Sequence, residues 1–157
     1  MKAFSLKELK AELSTLSAGQ LAEINIRLAK YKKENKELLT YILFYAGDET
    51  AYIKEVEESI DLHFQDINRS NLYLTKKMLR KILRTTNRFI KYSGSKQTEV
   101  ELLIFFLKKI KDSGIPIHSS NALENIYLRL IVRIQKSISM LHEDLQYDYS
   151  VELEPLI

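Results

Sequence analysis

The feature that most constrains this fold is a row of mostly apolar residues at alternating steps of three and four positions. Such steps place side chains on one face of an α-helix, and their seven-residue period is typical of a helix that packs along one seam. The row continues through the lysine-rich sequence at 30–36, where the lysines fall off the seam. We therefore predict one uninterrupted helix over residues 18–46. This seam row consists of Leu21, Ile24, Leu28, Tyr31, Asn35, Leu38, Ile42 and Tyr45.

Signals for the starts and ends of other helices are also clear. The segments Ser5–Glu8, Ser17–Gln20 and Asn121–Glu124 have the spacing of a capping box, in which two side chains satisfy backbone amides at a helix start. Gly94 and Gly114 follow apolar periodic segments, as glycines at helix ends do. With the apolar periodicity, these signals predict helices over about residues 5–16, 18–46, 48–67, 71–92, 96–112 and 121–146.

The fold class that these patterns predict is all-α. The chain has four Gly and two Pro, which leaves few places for tight β-turns, and no segment has a convincing strand pattern. We expect an antiparallel helical-hairpin bundle of about six helices. The alternative is a short HEAT-like α-solenoid, which the lack of a fixed-period repeat disfavours.

The domain organisation that we predict is one helical domain over residues 1–146. A chain of 157 residues fits a single domain with a sizeable core. Residues 147–157 are expected to form a loosely ordered C-terminal tail, because Pro155 and the mixed polarity argue against a helix there.

Two polar residues interrupt the apolar rows of the second and third predicted helices. Gly47 leaves only a tight connection between these helices, so we expect them to form an antiparallel hairpin that places Tyr31 close to His63. Asn35 is expected to fix the register of the seam at some cost in stability. We expect His63 to be a neutral, hydrogen-bonded histidine.

Composition and motifs limit the kinds of catalytic and ligand-binding site that the chain can contain. The absence of cysteine excludes disulfides, thiolate metal sites and cysteine nucleophiles. The three histidines have no metal-binding spacing, and no glycine-rich phosphate loop or nucleophile elbow is present. We therefore expect no catalytic, cofactor-binding or metal-binding residue and no cofactor. An enzyme centred on His63 with Tyr31 is the least favoured hypothesis.

The expected location is the cytoplasm. No segment reaches the roughly 20 apolar residues that span a bilayer, so no membrane partner is expected. The first 16 residues are interrupted by charge every few positions and lack the apolar region of a signal peptide.

The charge distribution is the strongest functional signal. From Ile67 through Thr98 there is no acidic residue, yet this segment holds nine Lys and Arg residues. A cationic face of this kind attracts nucleic-acid phosphates or an acidic protein surface. Internal compensation is the favoured interpretation of this charge, ahead of an acidic protein partner and of nucleic acid, because the preceding segment, 48–66, carries seven acids that could form ion pairs with this face. The predicted basic face consists of Lys77, Lys81, Arg84, Arg88 and Lys91.

The sequence RLAKYKKENKELLTYILF, residues 27–44, resembles a segment of conserved, uncharacterised all-helical proteins of bacteria. That resemblance implies no assigned activity. From the residues themselves, the leading hypothesis is a non-enzymatic module that binds a protein partner or itself, as a homo-oligomer. The alternative is a nucleic-acid-binding protein that uses the basic helix over 71–92.

Overall fold

The helices account for most of the chain, and the fold is all-α. In the computed structural model, which describes residues 2–157, the described chain contains eight α-helices and no β-strand. A π-helical segment, Tyr41–Tyr45, and two short 3-10 turns, Ile117–Ser119 and Glu154–Leu156, complete the helical structure. The α-helices are α1 (Leu6–Leu13), α2 (Ala18–Tyr31), α3 (Lys33–Thr40), α4 (Glu49–Gln65), α5 (Leu72–Ser93), α6 (Lys96–Asp112), α7 (Asn121–Ile138) and α8 (Glu143–Leu153).

Two of the three predicted capping boxes are confirmed. The Ser5 amide donates to Glu8 Oε2 at 2.8 Å, and the Ser17 amide donates to Gln20 Oε1 at 2.9 Å. The third is wrong by one position: Ser120 is the cap residue of α7 and makes no side-chain cap hydrogen bond. Gly94 ends α5 with a φ of 68°, a left-handed conformation that glycine adopts without strain.

The described chain forms two compact units, one ending at Phe44 and the other running from Tyr45 to Ile157. The N-terminal unit corrects the prediction of one helix over 18–46. Lys32 has an extended backbone, with φ −143° and ψ 147°, so the helix ends at Tyr31 and a new one begins at Lys33. The chain turns back there because the apolar faces of α2 and α3 can then face each other across a groove, whereas a straight, isolated helix would leave both in water.

The reversal at Lys32 also changes the role of Asn35. Its Nδ2 donates to the carbonyl oxygen of Leu28 at 2.8 Å, which satisfies an acceptor at the end of α2. The predicted Tyr31–His63 pairing assumed a continuous helix over 18–46, and the break at Lys32 removes that assumption. Tyr31 is 78% exposed, and His63 Nδ1 instead donates to the carbonyl oxygen of Ser59 on its own helix at 2.6 Å.

The C-terminal unit is built around α6. This helix contacts α4, α5, α7 and α8, an arrangement that favours a bundle over a solenoid, in which each element contacts only its neighbours. Helix α6 is buried over most of its circumference, and the Phe106 ring meets Phe64 of α4 edge-on, with centroids 5.4 Å apart. The apolar side chains of α6 with at most 1% exposure are Val100, Leu102, Leu103, Ile104, Phe106 and Leu107.

The prediction of a loosely ordered tail at 147–157 is wrong, as is the continuous helix over 121–146. Helix α7 ends at Ile138, where Ser139 Oγ donates to the carbonyl oxygen of Lys136 at 2.8 Å. A new helix, α8, begins after His142 and carries two acids in its first turn, where the helix dipole favours negative charge. The apolar residues of α8 have helical spacing, and Tyr149, Leu153 and Leu156 are buried.

Polar contacts hold this C-terminal segment against the bundle. The Tyr127 hydroxyl donates to the carbonyl oxygen of Leu156 at 2.8 Å, and the Tyr149 hydroxyl donates to the Glu101 carboxylate. Burial and the neighbouring carboxylate raise the pKa of Tyr149 well above its usual value, so the phenol stays protonated. Pro155 lies within the final 3-10 turn, at a first-turn position where its missing amide costs nothing.

Among residues 2–157, no helix combines the length and the apolar character that crossing a bilayer requires.

The packing of α8 predicts different effects for two apolar residues of the same helix. Leu153 is 2% exposed, so Leu153→Ala should lower the free energy of unfolding by about 2–5 kcal/mol, through lost burial and the cavity left behind. Val151 is 52% exposed, and Val151→Ala should change it by less than about 0.5 kcal/mol. Urea unfolding followed by circular dichroism measures both. Equal effects would contradict the docking of α8.

Candidate cationic binding face

Helix α5 has one core face and one outer face. It begins at Asn71, whose Oδ1 accepts from the amides of Tyr73 and Leu74 at 3.0 and 3.1 Å. Its inward side chains recur every three or four positions, so the charged residues between them fall on the opposite side. The buried residues of α5 are Thr75, Leu79, Ile82, Thr86 and Ile90.

The outer face of α5 carries the basic residues predicted from the sequence. Lys77, Lys81, Arg84 and Lys91 are all exposed. We call these four residues the cationic face. Arg88, the fifth predicted member, is half-buried, and its guanidinium lies 5.7 Å from the centre of the Phe89 ring. Arg88 therefore belongs in part to the packing beneath the face.

The four residues of the cationic face make no ion pair with any residue of the described chain. Helix α4 contacts α5, but its Asp61 pairs with Lys109 of α6, at 2.6 Å. The acids of α4 therefore do not neutralise these four residues through ion pairs. The cause is geometric, because the basic side chains point away from the helices that pack against α5.

A buried polar network anchors α5 in this orientation. Arg133 of α7 places its Nε and one terminal nitrogen 2.6 Å from Glu99 Oε1, and its other terminal nitrogen donates to Asn87 of α5 at 2.5 Å. Lys96 Nζ lies 2.6 Å from the second Glu99 oxygen. The network thus joins α5, α6 and α7 through one carboxylate that is 6% exposed.

The electrostatics of Glu99 follow from these partners. Burial by itself would raise the pKa of this carboxyl group. The hydrogen bonds from Lys96 and Arg133, together with their positive charges, outweigh burial and lower the pKa below its usual value. Glu99 is therefore a carboxylate at neutral pH, and it stabilises the joint between the three helices.

A second contact set fixes the C-terminal end of α5. Glu49, at the start of α4, accepts hydrogen bonds from Ser93 Oγ at 2.8 Å and from Thr98 Oγ1 at 2.6 Å. The Tyr52 hydroxyl donates to the carbonyl oxygen of Phe89 at 2.9 Å. The C-terminal part of the basic segment is therefore tied to the bundle by polar contacts.

A different electrostatic environment surrounds Glu57 on α4. Burial raises its pKa, and the negative charges of Glu101 and Asp61 raise it further, while Lys108 opposes them. This group of side chains does not amount to a metal site. Nowhere in residues 2–157 do three or more His, Asp or Glu side chains converge in a way that could hold a metal ion.

Sequence reasoning found the cationic face but missed the residues that orient it. Asn87, Glu99 and Arg133 are far apart in the chain and form no motif. The one available signal was that Glu99 and Arg133 lie inside helices that are otherwise apolar on two sides.

Comparisons with protein-family models, curated proteins and solved structures found no match to this chain. The resemblance of residues 27–44 to uncharacterised bacterial proteins stays a prediction.

The lowered pKa of Glu99 predicts a pH-dependent contribution to stability. Its carboxylate stabilises the fold above the usual pKa of a glutamate, and this stabilisation is lost as the pH falls through the folded-state pKa. Glu99→Gln should lower the free energy of unfolding at neutral pH by about 1.5–3 kcal/mol, the usual contribution of a hydrogen bond to a charged group. The difference from wild type should shrink in acid, as measured by urea unfolding across a pH series.

Glu57→Gln is the matched comparison, and its effect on the free energy of unfolding should have the opposite sign. A raised folded-state pKa means that the charged form of Glu57 opposes folding at neutral pH. Removing that charge should leave the free energy of unfolding unchanged or higher at neutral pH, with no loss toward acid. If both variants lose stability at neutral pH, the two carboxyl groups do not differ as described.

Proposed function

We propose that this chain is a non-enzymatic binding module whose cationic face docks an acidic segment of a protein partner. The observation that carries the proposal is the set of four exposed cations on one face of α5, none in an ion pair within the described chain. Cations held at a fixed spacing on an anchored helix attract a complementary acidic surface and speed its association.

The dimensions of the face suit a helical partner. Lys77 and Lys91 are fourteen residues apart, which corresponds to about 21 Å along the helix axis. An acidic helix with glutamates at alternating steps of four and three would present its charges at the same spacing. Such a contact stays at the surface, so it steers and selects the partner more than it adds affinity.

Apolar residues at one end of the face favour a protein partner. Tyr73 is 67% exposed and Leu74 is 42% exposed, and both lie in the turn that precedes Lys77. Aromatic side chains such as Tyr are enriched in protein interfaces and often contribute much of the binding energy there.

A nucleic-acid partner is the second candidate. It is favoured by the unbroken run without acidic residues from Ile67 through Thr98. Salt dependence distinguishes phosphate binding from protein binding. Counterion release makes the affinity for nucleic acid fall steeply as the salt concentration rises.

We propose the cytoplasm as the setting, because a chain without cysteine has no disulfide that a reducing compartment would break.

The test is fluorescence anisotropy with three labelled probes, across a salt series. The probes are a helical peptide with glutamates at alternating steps of four and three, a single-stranded RNA and a DNA duplex. The wild type should bind the peptide more tightly than either nucleic acid. The triple variant Lys77→Glu, Lys81→Glu, Arg84→Glu should bind the peptide at least tenfold more weakly, because each attractive contact becomes a repulsive one.

The matched control is Lys54→Glu, Arg129→Glu, Lys136→Glu, which makes the same change in net charge at exposed positions of α4 and α7. It should retain most of the affinity. No peptide binding by the wild type at low salt, or equal losses in the two variants, would contradict the proposal. Tighter binding of RNA or DNA, lost only in the α5 variant, would replace it with the nucleic-acid candidate.

A further inference from the structure

The N-terminal unit has an apolar surface that its own helices leave in water. No residue of α1, α2 or α3 is buried, and large apolar side chains on α2, α3 and the π-helical segment are exposed. Monomeric proteins rarely expose contiguous apolar surface on this scale unless it has a partner. The exposed side chains of this surface include Ile26 52%, Leu28 54%, Tyr31 78%, Leu38 37%, Ile42 54% and Leu43 64%.

The groove between α2 and α3 contains part of this surface, including Leu28, Leu38 and Ile42. Its two walls come from the two sides of the turn at Lys32. Only part of each wall is covered by the other, since the groove is open to solvent. It is lined by Asn25, Leu28, Ala29, Asn35, Leu38, Leu39 and Ile42.

The backbone of Lys32 is all that separates α2 and α3 from one continuous helix. Residues on both sides of Lys32 are already helical, and no side-chain cap holds the start of α3. The seam row keeps its steps of three and four through this residue. A reversal of the chain has no need for that continuity, whereas a straight helix that packs along one seam requires it.

We propose that the N-terminal unit opens at Lys32 and pairs with a second copy of this chain as a domain-swapped dimer. In the opened form, residues 18–40 make one helix, and the seam row of one copy packs antiparallel against that of the other. The α2 of each copy then lies against the α3 of its partner, so the apolar faces that meet across the groove within one chain meet between two chains.

The seam row is its own antiparallel complement, which is why a second copy is the occupant. When Ile24 lies opposite Ile42 of the second copy, Leu28 lies opposite Leu38, and Tyr31 lies beside Asn35. The two outer layers therefore pair aliphatic residues of similar size, and the layer near the two-fold axis pairs Tyr31 with Asn35. An Asn within such a seam is typical of helices that select one register.

The area of the seam is sufficient for a specific dimer. Each copy contributes six apolar or aromatic side chains between Leu21 and Ile42. Burying side chains of this size removes on the order of 1,000 Å² from water for the pair of helices. That reaches the lower limit of specific interfaces between proteins.

The dimer is tested on the full chain by light scattering and by distance measurement between two spin labels. The chain has no cysteine, so Glu23→Cys and Thr40→Cys, both exposed and off the seam, can be labelled uniquely. A small amount of labelled chain in an excess of unlabelled chain reports the distance within one copy. A straight helix separates these positions by about 26 Å along its axis, whereas the closed hairpin brings them closer.

We expect the measured mass to rise with concentration to that of two chains. In the dimer, the two labels within one copy should be at the longer distance. Lys32→Ala should raise the dimerisation constant roughly twofold, because alanine favours the helical backbone at the hinge more than lysine does, in each of the two copies. Asn35→Leu should act in the same direction, since it removes the hydrogen bond to Leu28 that holds the closed form. Lys33→Ala is the matched control: this residue is helical in both forms, so the dimer fraction should change little.

A mass of one chain at every concentration, for wild type and Lys32→Ala alike, would overturn the proposal. A dimer that keeps the short distance would also overturn it, because association would then occur without opening. The charge-reversed α5 variant should dimerise like the wild type, so failure of the cationic face to bind peptide leaves this inference standing.

Discussion

The burial of α6 over most of its circumference is the constraint on which the C-terminal unit depends. Its apolar side chains point in several directions, so each neighbouring helix must supply one apolar face to cover them. Helices α4, α5, α7 and α8 do this, and each keeps a polar face for water. The outward direction of the cationic face is a consequence, because the core residues Leu79 and Ile82 fix which side of α5 meets α6.

Within this apolar frame, the Glu99–Arg133–Asn87 network sets the rotation of α5 more finely than packing alone. Apolar contacts tolerate small rotations, whereas a bidentate guanidinium has few acceptable geometries. A buried carboxylate left without its partner would cost several kcal/mol, so the three helices are held to one arrangement. The exposed charges of α5 therefore keep a fixed spacing, which a binding face requires.

Much of the fold could be predicted from local sequence. The apolar periodicity and the boxes at Ser5 and Ser17 identified helix positions because both signals act within one or two turns. The wrong predictions concern segments whose structure is determined by contacts between residues far apart in the chain. The pattern of the seam row does not determine what packs against it, which can be another helix, the second half of the same row or another copy of the chain. The reversal at Lys32 was therefore not predictable. The helix from Glu143 was missed because the alternation from Tyr147 to Leu153 obscured the helical spacing of Tyr149, Leu153 and Leu156.

The central position of α6 in space contrasts with its late position in the chain. During synthesis, α4 and α5 emerge first, each with an apolar face that α6 later covers. Between Gln65 and Asp112 a ribosome needs a few seconds, at about 5–20 residues per second, and the core is incomplete until α6 has been made. The nascent chain is therefore exposed to chaperones and to misassociation in that window, and the acids of α4 and the basic residues of α5 help to keep it in solution.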